Sequence, residues 1–157
     1  MKKKNRKKET FVFDGLGFPI KLVNAPMKKV AGEWCIDINM NKLMIVALEA
    51  LVRKPSSLTG DELRFIRSYF QTTTTEFGKI FGVSHVAVLK WEKGENQISP
   101  AIDLYLRLYI VDHLKAKDAE FRAIYRELSL EQLSKKGKGK IHPLIVDATS
   151  EDLKIAL

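Results

Sequence analysis

The sequence predicts a mainly α fold with a small N-terminal β-containing region, and three observations predict it. Apolar residues recur at helical spacing from about residue 41 to residue 128. β-Branched and aromatic residues broken by closely spaced turn signals are confined to residues 11–38. The helical stretches carry recognisable start signals. With 157 residues, 45% hydrophobic and 29% charged, the chain is the size of one domain, or of one domain with an annex, and has enough apolar material for a core. A large multidomain machine and wholesale disorder are both excluded.

Between Phe11 and Ile38, the pairs and triplets Asp14-Gly15, Asn24-Ala25-Pro26 and Ala31-Gly32, with Gly17, mark turns and predict two or three short strands. From Asn41 to Arg53 the residues Leu43, Met44, Val46, Ala47, Leu48, Ala50 and Leu51 make a broad apolar helical face, ended by Lys54-Pro55. Five short helices follow. Their apolar sets are Leu63, Ile66 and Phe70; Phe77, Ile80 and Phe81; Ala87, Val88 and Trp91; Ile102, Tyr105, Leu106 and Tyr109; and Phe121, Ile124, Tyr125 and Leu128. Thr59 before Asp61-Glu62, Ser84 after Gly82-Val83, and Ser99-Pro100 mark starts. Beyond Leu133 comes a basic linker, then Ile141, Leu144, Ile145 and Val146 predict a strand, with a short helix from Ser150. The resulting organisation is a basic arm (1–10), a β-plus-helix region (11–56), a helical domain (57–133) and a linker with tail (134–157).

The net charge is +8, which points to an acidic partner such as nucleic acid. Residues 1–10 carry +5, residues 135–140 carry +4 and residues 141–157 carry −2, leaving +1 for the remainder. Both basic flanks lack apolar residues and read as mobile arms. No apolar run approaches the roughly 20 residues of a spanning helix, and the lysine-rich start leads to Glu9 and Thr10 rather than an apolar signal core. A soluble, unexported, cytoplasmic protein without membrane contact is expected. Cys35 is the single cysteine, which excludes an intramolecular disulfide and any zinc site built on two thiolates of one chain. His85, His113 and His142 stand apart, Cys35 has no His partner, and Asp14-Gly-Leu-Gly17 is too short for a phosphate loop. No metal, no cofactor and no enzymatic activity are expected. Trp34 and Trp91 read as core residues.

The segment Gln71–Gly94 carries the functional signal. A short helix containing Gly78 leads to Gly82 and a second short helix, as two tightly crossing helices require: Gly78 holds nothing between them, and Gly82 can take a positive φ. Val83, Val88 and Trp91 face inward in this reading, and His85, Val86, Leu89 and Lys90 face outward. Such a mixed row suits the major groove, where thymine methyls take apolar contacts and guanine accepts from Lys.

Through Phe77-Gly78, Gly82-Val83-Ser84 and Lys90-Trp91-Glu92-Lys93-Gly94, residues 58 to about 112 resemble the Cro/repressor-type (Xre family) helix-turn-helix proteins. Lys90-Trp-Glu-Lys-Gly-Glu-Asn-Gln97, with Pro100 and Leu104 to Leu108, extends the resemblance to MqsA-type antitoxins. The resemblance implies a lambda-repressor-like helical domain. It implies a recognition helix starting at Ser84, with His85, Val86, Leu89 and Lys90 facing bases. Thr73 and Thr74 fall at the helix start that holds a phosphate oxygen; Thr74 replaces a frequent glutamine, which shortens that reach. Arg67 and Glu92 match a structural salt bridge. The four-cysteine zinc site of MqsA-type antitoxins cannot form with Cys35 alone. The implied protein is a DNA-binding repressor, a homodimer on double-stranded DNA, and in its antitoxin version a partner of a toxin protein. Residues 57–110 nevertheless balance six Lys/Arg against six Asp/Glu. That neutrality, with the apolar pair Val86 and Leu89, keeps open a second reading: a protein-interaction module on the same scaffold.

Overall fold

The structure, a computed structural model, describes residues 7–114, 143–149 and 153–155. Strand β1 (Lys7–Phe13) alternates half-buried Glu9, Phe11 and Phe13 with exposed Lys8, Thr10 and Val12. It pairs antiparallel with β2 (Ile20–Val30), which is one long strand. Between the pairs Glu9–Ala25 and Phe11–Leu22, β1 advances two residues and β2 three. The additional residue is absorbed at Asn24, whose φ is 54° and whose amide donates to Thr10 Oγ1 at 3.3 Å. This is a β-bulge, and it keeps Ile20, Leu22, Ala25 and Met27 all buried on one face. Asn24-Ala25-Pro26 is therefore a kink within a strand, where the sequence predicts a turn.

β3 (Glu33–Ile36) returns antiparallel along β2 after a turn at Ala31 and Gly32. α1 (Met40–Arg53) follows, with Asn39 Oδ1 accepting from the Asn41 and Lys42 amides at 3.0 and 3.2 Å. Two further strands come from the far end of the described chain: β4 (Leu144–Asp147) lies parallel to Ile20–Val23 of β2, and β5 (Lys154–Ile155) pairs antiparallel with β4. β1 fills one edge of β2, so β4 and β3 follow one another along the other edge.

Among the described residues this makes a five-stranded mixed sheet in the order β1-β2-β4-β5, with β3 on β2. The fold is thus α+β, and the expected mainly α, lambda-repressor-like fold with a small β region is overturned. Three misreadings account for the difference. Lys7–Thr10 belong to β1 rather than to a basic arm, because an edge strand tolerates lysines on its exposed positions. β2 runs through its turn signal. The tail supplies two strands, and Lys154–Ile155 are extended where a helix from Ser150 is predicted. Trp34 is also not a core residue: it is 40% exposed, with the Lys7 ammonium 5.7 Å from its ring centroid. The predicted helix around Phe121–Leu128 and the basic run 135–140 lie outside the described residues. No helix among the described residues is long and apolar enough to cross a membrane.

The chain divides into two compact units, one formed by residues 1–47 with 143–157, the other by residues 48–142. The second unit takes the end of α1, then α2 (Gly60–Tyr69), α3 (Thr74–Phe81), α4 (His85–Glu92) and α5 (Pro100–His113). α2 starts with a capping box in which Thr59 and Glu62 satisfy each other's amides, and α5 starts with Ser99 as its cap and Pro100 in its first turn. Leu63, Ile66, Phe77, Val88, Leu106 and Ile110 fill the core. Edge-on ring pairs join the C-cap of α2 and the end of α3 to α5, Phe70 to Tyr109 at 5.1 Å and Phe81 to Tyr105 at 5.3 Å.

Two core positions are charged. Arg107 and Asp103, one turn apart on α5, have no exposed side-chain surface and meet at 2.6 Å. Arg107 also donates to the carbonyls of Val52, Lys54 and Ser56, and Asp103 accepts from the Leu58 amide at 3.0 Å. Pro55 makes this connection unable to continue α1, and its main-chain groups are satisfied by α5 instead. Arg107→Ala leaves the buried Asp103 carboxylate without its cation and three carbonyls without this donor. A loss of about 3–5 kcal/mol is expected in urea denaturation, against wild type.

Candidate nucleic-acid interface

The helix–turn–helix segment is assembled by local chemistry. Thr73 caps α3 in a second capping box: its hydroxyl accepts from the Glu76 amide at 3.2 Å, while Glu76 Oε2 accepts from the Thr73 amide at 2.7 Å and from its hydroxyl at 2.9 Å. α3 stops at Gly82, which has φ 67° and ψ 31°. The Val83 amide then donates to the Gly78 carbonyl at 2.9 Å. A Cβ on Gly78 would sit 2.5 Å from the Val83 carbonyl, so only glycine lets the turn close onto α3. Ser84 caps α4 by accepting from the Ala87 amide at 3.2 Å.

α4 turns Val88, Trp91 and Glu92 into the unit and leaves His85, Val86, Leu89 and Lys90 exposed, with Val86 at 46% and Leu89 at 38%. On a helix these four positions form one continuous stripe. The far end of α4 is fixed by Arg67 of α2, whose Nε and Nη2 donate to the Glu92 carboxylate at 2.5 and 3.1 Å, and whose Nη1 donates to the Thr72 carbonyl at 2.9 Å. One guanidinium therefore joins the end of α2, the entry to α3 and the end of α4. The hydrogen bond to Glu92 raises the Arg67 pKa against the opposing effect of burial. Arg64, one turn earlier on α2, also lies 3.6 Å from Glu92, a contact signalled in the sequence by the i,i+3 spacing of the two arginines.

The expected phosphate position has a different surrounding from the one the sequence suggests. The Thr73 amide and hydroxyl are both donated to Glu76, and a carboxylate at the head of α3 opposes a second anion there. The signal was legible as Thr-x-x-Glu at 73–76. Thr74 is half-buried, and its amide and that of Thr75 belong to the first turn, where no intrahelical acceptor exists.

Burial also redistributes the charge. Glu62, Glu92, Asp103 and Arg107 are buried, with Glu62 held by Lys54 at 2.9 Å and Glu92 by Arg67. Of the charges in residues 57–110, the exposed cations are Arg64, Lys79, Lys90 and Lys93, and the exposed carboxylates are Asp61, Glu76 and Glu95. The exposed surface of residues 57–110 is thus close to neutral. No family model matches the chain, nor does any curated protein or solved structure.

Two outcomes follow from this geometry. Gly78→Ala should cost about 1–3 kcal/mol by overpacking the turn, measured as a shift of the urea midpoint. Hydrogen bonds from the Thr73 amide, then its hydroxyl, hold the Glu76 carboxyl below the ordinary carboxylate range. Its capping contribution is therefore present above the carboxyl's unfolded pKa and is lost as pH falls through the lower folded value. An NMR titration should show the α3 N-terminal amides moving with Glu76 in that acid range, and Glu76→Gln should abolish the movement.

Proposed function

We propose that the chain is a sequence-specific regulator that binds double-stranded DNA in the cytoplasm and represses by occupying an operator, its own promoter included. The observation that carries this reading is the exposed stripe His85, Val86, Leu89 and Lys90 on a helix of two turns whose two ends are both fixed, by the Gly78–Gly82 turn and by Arg67. A groove reader needs its side chains in register with base edges, and a pinned helix supplies that register. Lys90 offers an ammonium to guanine, Val86 and Leu89 offer apolar contact to thymine methyls, and His85 offers a ring nitrogen. Ser84, Thr73 and Thr74 lie at helix starts, where a phosphate oxygen can meet backbone amides, with Thr73 available only if Glu76 releases it. Arg67 and Glu92 act structurally.

The resemblance to Cro/repressor-type proteins supports a homodimer presenting two recognition helices one duplex turn apart, roughly 34 Å. Its antitoxin-like version adds a toxin protein bound by the N-terminal sheet region, without zinc.

A second reading has its own observation. Val86 and Leu89 are apolar and exposed side by side on α4, which suits a partner helix as well as a groove. Fluorescence anisotropy on the duplex upstream of the gene against a scrambled duplex decides between them. Lys90→Ala should weaken binding to the native duplex by about 1–3 kcal/mol and to the scrambled duplex far less. Equal binding of wild type and Lys90→Ala to every sequence removes α4 as the reader and leaves the interaction module.

A further inference from the structure

The sheet has a second charged surface that the helix–turn–helix reading does not use. Register and bulge together place Phe11, Phe13, Ile20, Leu22, Ala25 and Val146 on the inward face. The opposite face carries Lys8 and Val12 of β1, Lys21 and Val23 of β2, Ile145 and Asp147 of β4, and Lys154 of β5. Lys8, Lys21, Lys154 and Val12 are all exposed. Lys21 stands directly between Val12 and Ile145, with no carboxylate opposite it. Lys154 stands directly opposite Asp147, so both lie on this side of the sheet. From β1 to β5 is three strand spacings, roughly 14 Å, comparable with the roughly 12 Å width of the major groove.

We propose, resting on the reading of the chain as a DNA-binding regulator, that this outward face holds the phosphate backbone of duplex DNA through Lys8, Lys21 and Lys154. The chemistry favours phosphate over bases: the described strand positions of this face include no aromatic ring on which a base of single-stranded nucleic acid would stack. It also supplies cations that the helix–turn–helix segment lacks. The exposed charges of residues 57–110 are nearly balanced, and duplex affinity comes largely from the release of counterions by cations on phosphates. Lysine suits such a face because its long stem lets the ammonium find a phosphate without fixed geometry.

The test uses the full chain as wild type, Lys21→Gln/Lys154→Gln and Lys90→Ala, with the native upstream duplex and a scrambled duplex over a salt series. For the double variant, affinity for both duplexes should fall together, on the order of ten-fold at about 0.1 M salt, and the slope of log K against log salt should shrink by about two. Its preference between duplexes should stay that of wild type, whereas Lys90→Ala should lower the preference and leave the slope almost unchanged. Lys21→Arg/Lys154→Arg should restore affinity and slope, which separates lost charge from lost folding. A double variant that binds the scrambled duplex with wild-type affinity and slope overturns the assignment and leaves the face to an acidic protein. Wild type binding both duplexes equally, with the slope still reduced in the double variant, sinks the sequence-reading role of α4 and upholds the phosphate face. Wild type binding neither duplex overturns both.

Discussion

The ion pair between Arg107 and Asp103 is the constraint from which the helical unit is built. A charge without solvent exposure is tolerated only when its hydrogen-bonding capacity is filled, and here it is filled by the connection between α1 and α2. The carbonyls and the amide of that connection have no helix to belong to, so the two deficits cancel. Thr59 follows immediately as the cap of α2, and the start of α2 is thereby fixed relative to α5. At the other end of α2, Arg67 passes the constraint on to the entry of α3 and the end of α4. Lys54 and Glu62 brace the same corner. The exposed stripe of α4 is held by a succession of buried charges rather than by apolar packing alone.

This construction takes charges out of residues 57–110, which balance in the sequence, and leaves four exposed cations against three exposed carboxylates there. Several of the charges that a count along the sequence assigns to the surface are inside, cancelling one another. What remains outside the helical unit includes the lysines of the sheet, spread across strands that are far apart in sequence. Among the described residues the two units thus present different surfaces: one has a partly apolar row of side chains on α4, and the other a sheet face bearing Lys8, Lys21 and Lys154.

Much of the helical unit was legible in the sequence because its signals are local. Caps at Thr59, Ser84 and Ser99, the proline at 100, and the 3.6-residue period each depend on neighbours within one or two turns. The outward stripe of α4 was legible for the same reason. The sheet was not, since strand partnership is a long-range property: nothing near Ile20 announces Leu144 as its neighbour. Asn24-Ala25-Pro26 misled because a bulge and a turn use the same residues for the same positive φ. Lys7–Thr10 misled because a strand edge and a disordered arm share a composition. A charge count over residues 57–110 cannot tell buried Arg107 from an exposed cation, because the carbonyls that surround it are brought there by folding.

The parallel pairing of β2 with β4 has a consequence for how the protein comes into being. During synthesis β1, β2 and β3 leave the ribosome first, but the edge of β2 between Ile20 and Val23 stays open until Leu144 to Asp147 emerge. The described helices of the second unit are contiguous in the chain and can close on one another in that interval. The nascent sheet must therefore wait, with an unpaired strand edge of the kind that invites pairing with another chain. Lys21, in the middle of that edge, places a positive charge on each waiting copy, and mutual repulsion would help keep newly made chains apart until their own β4 arrives.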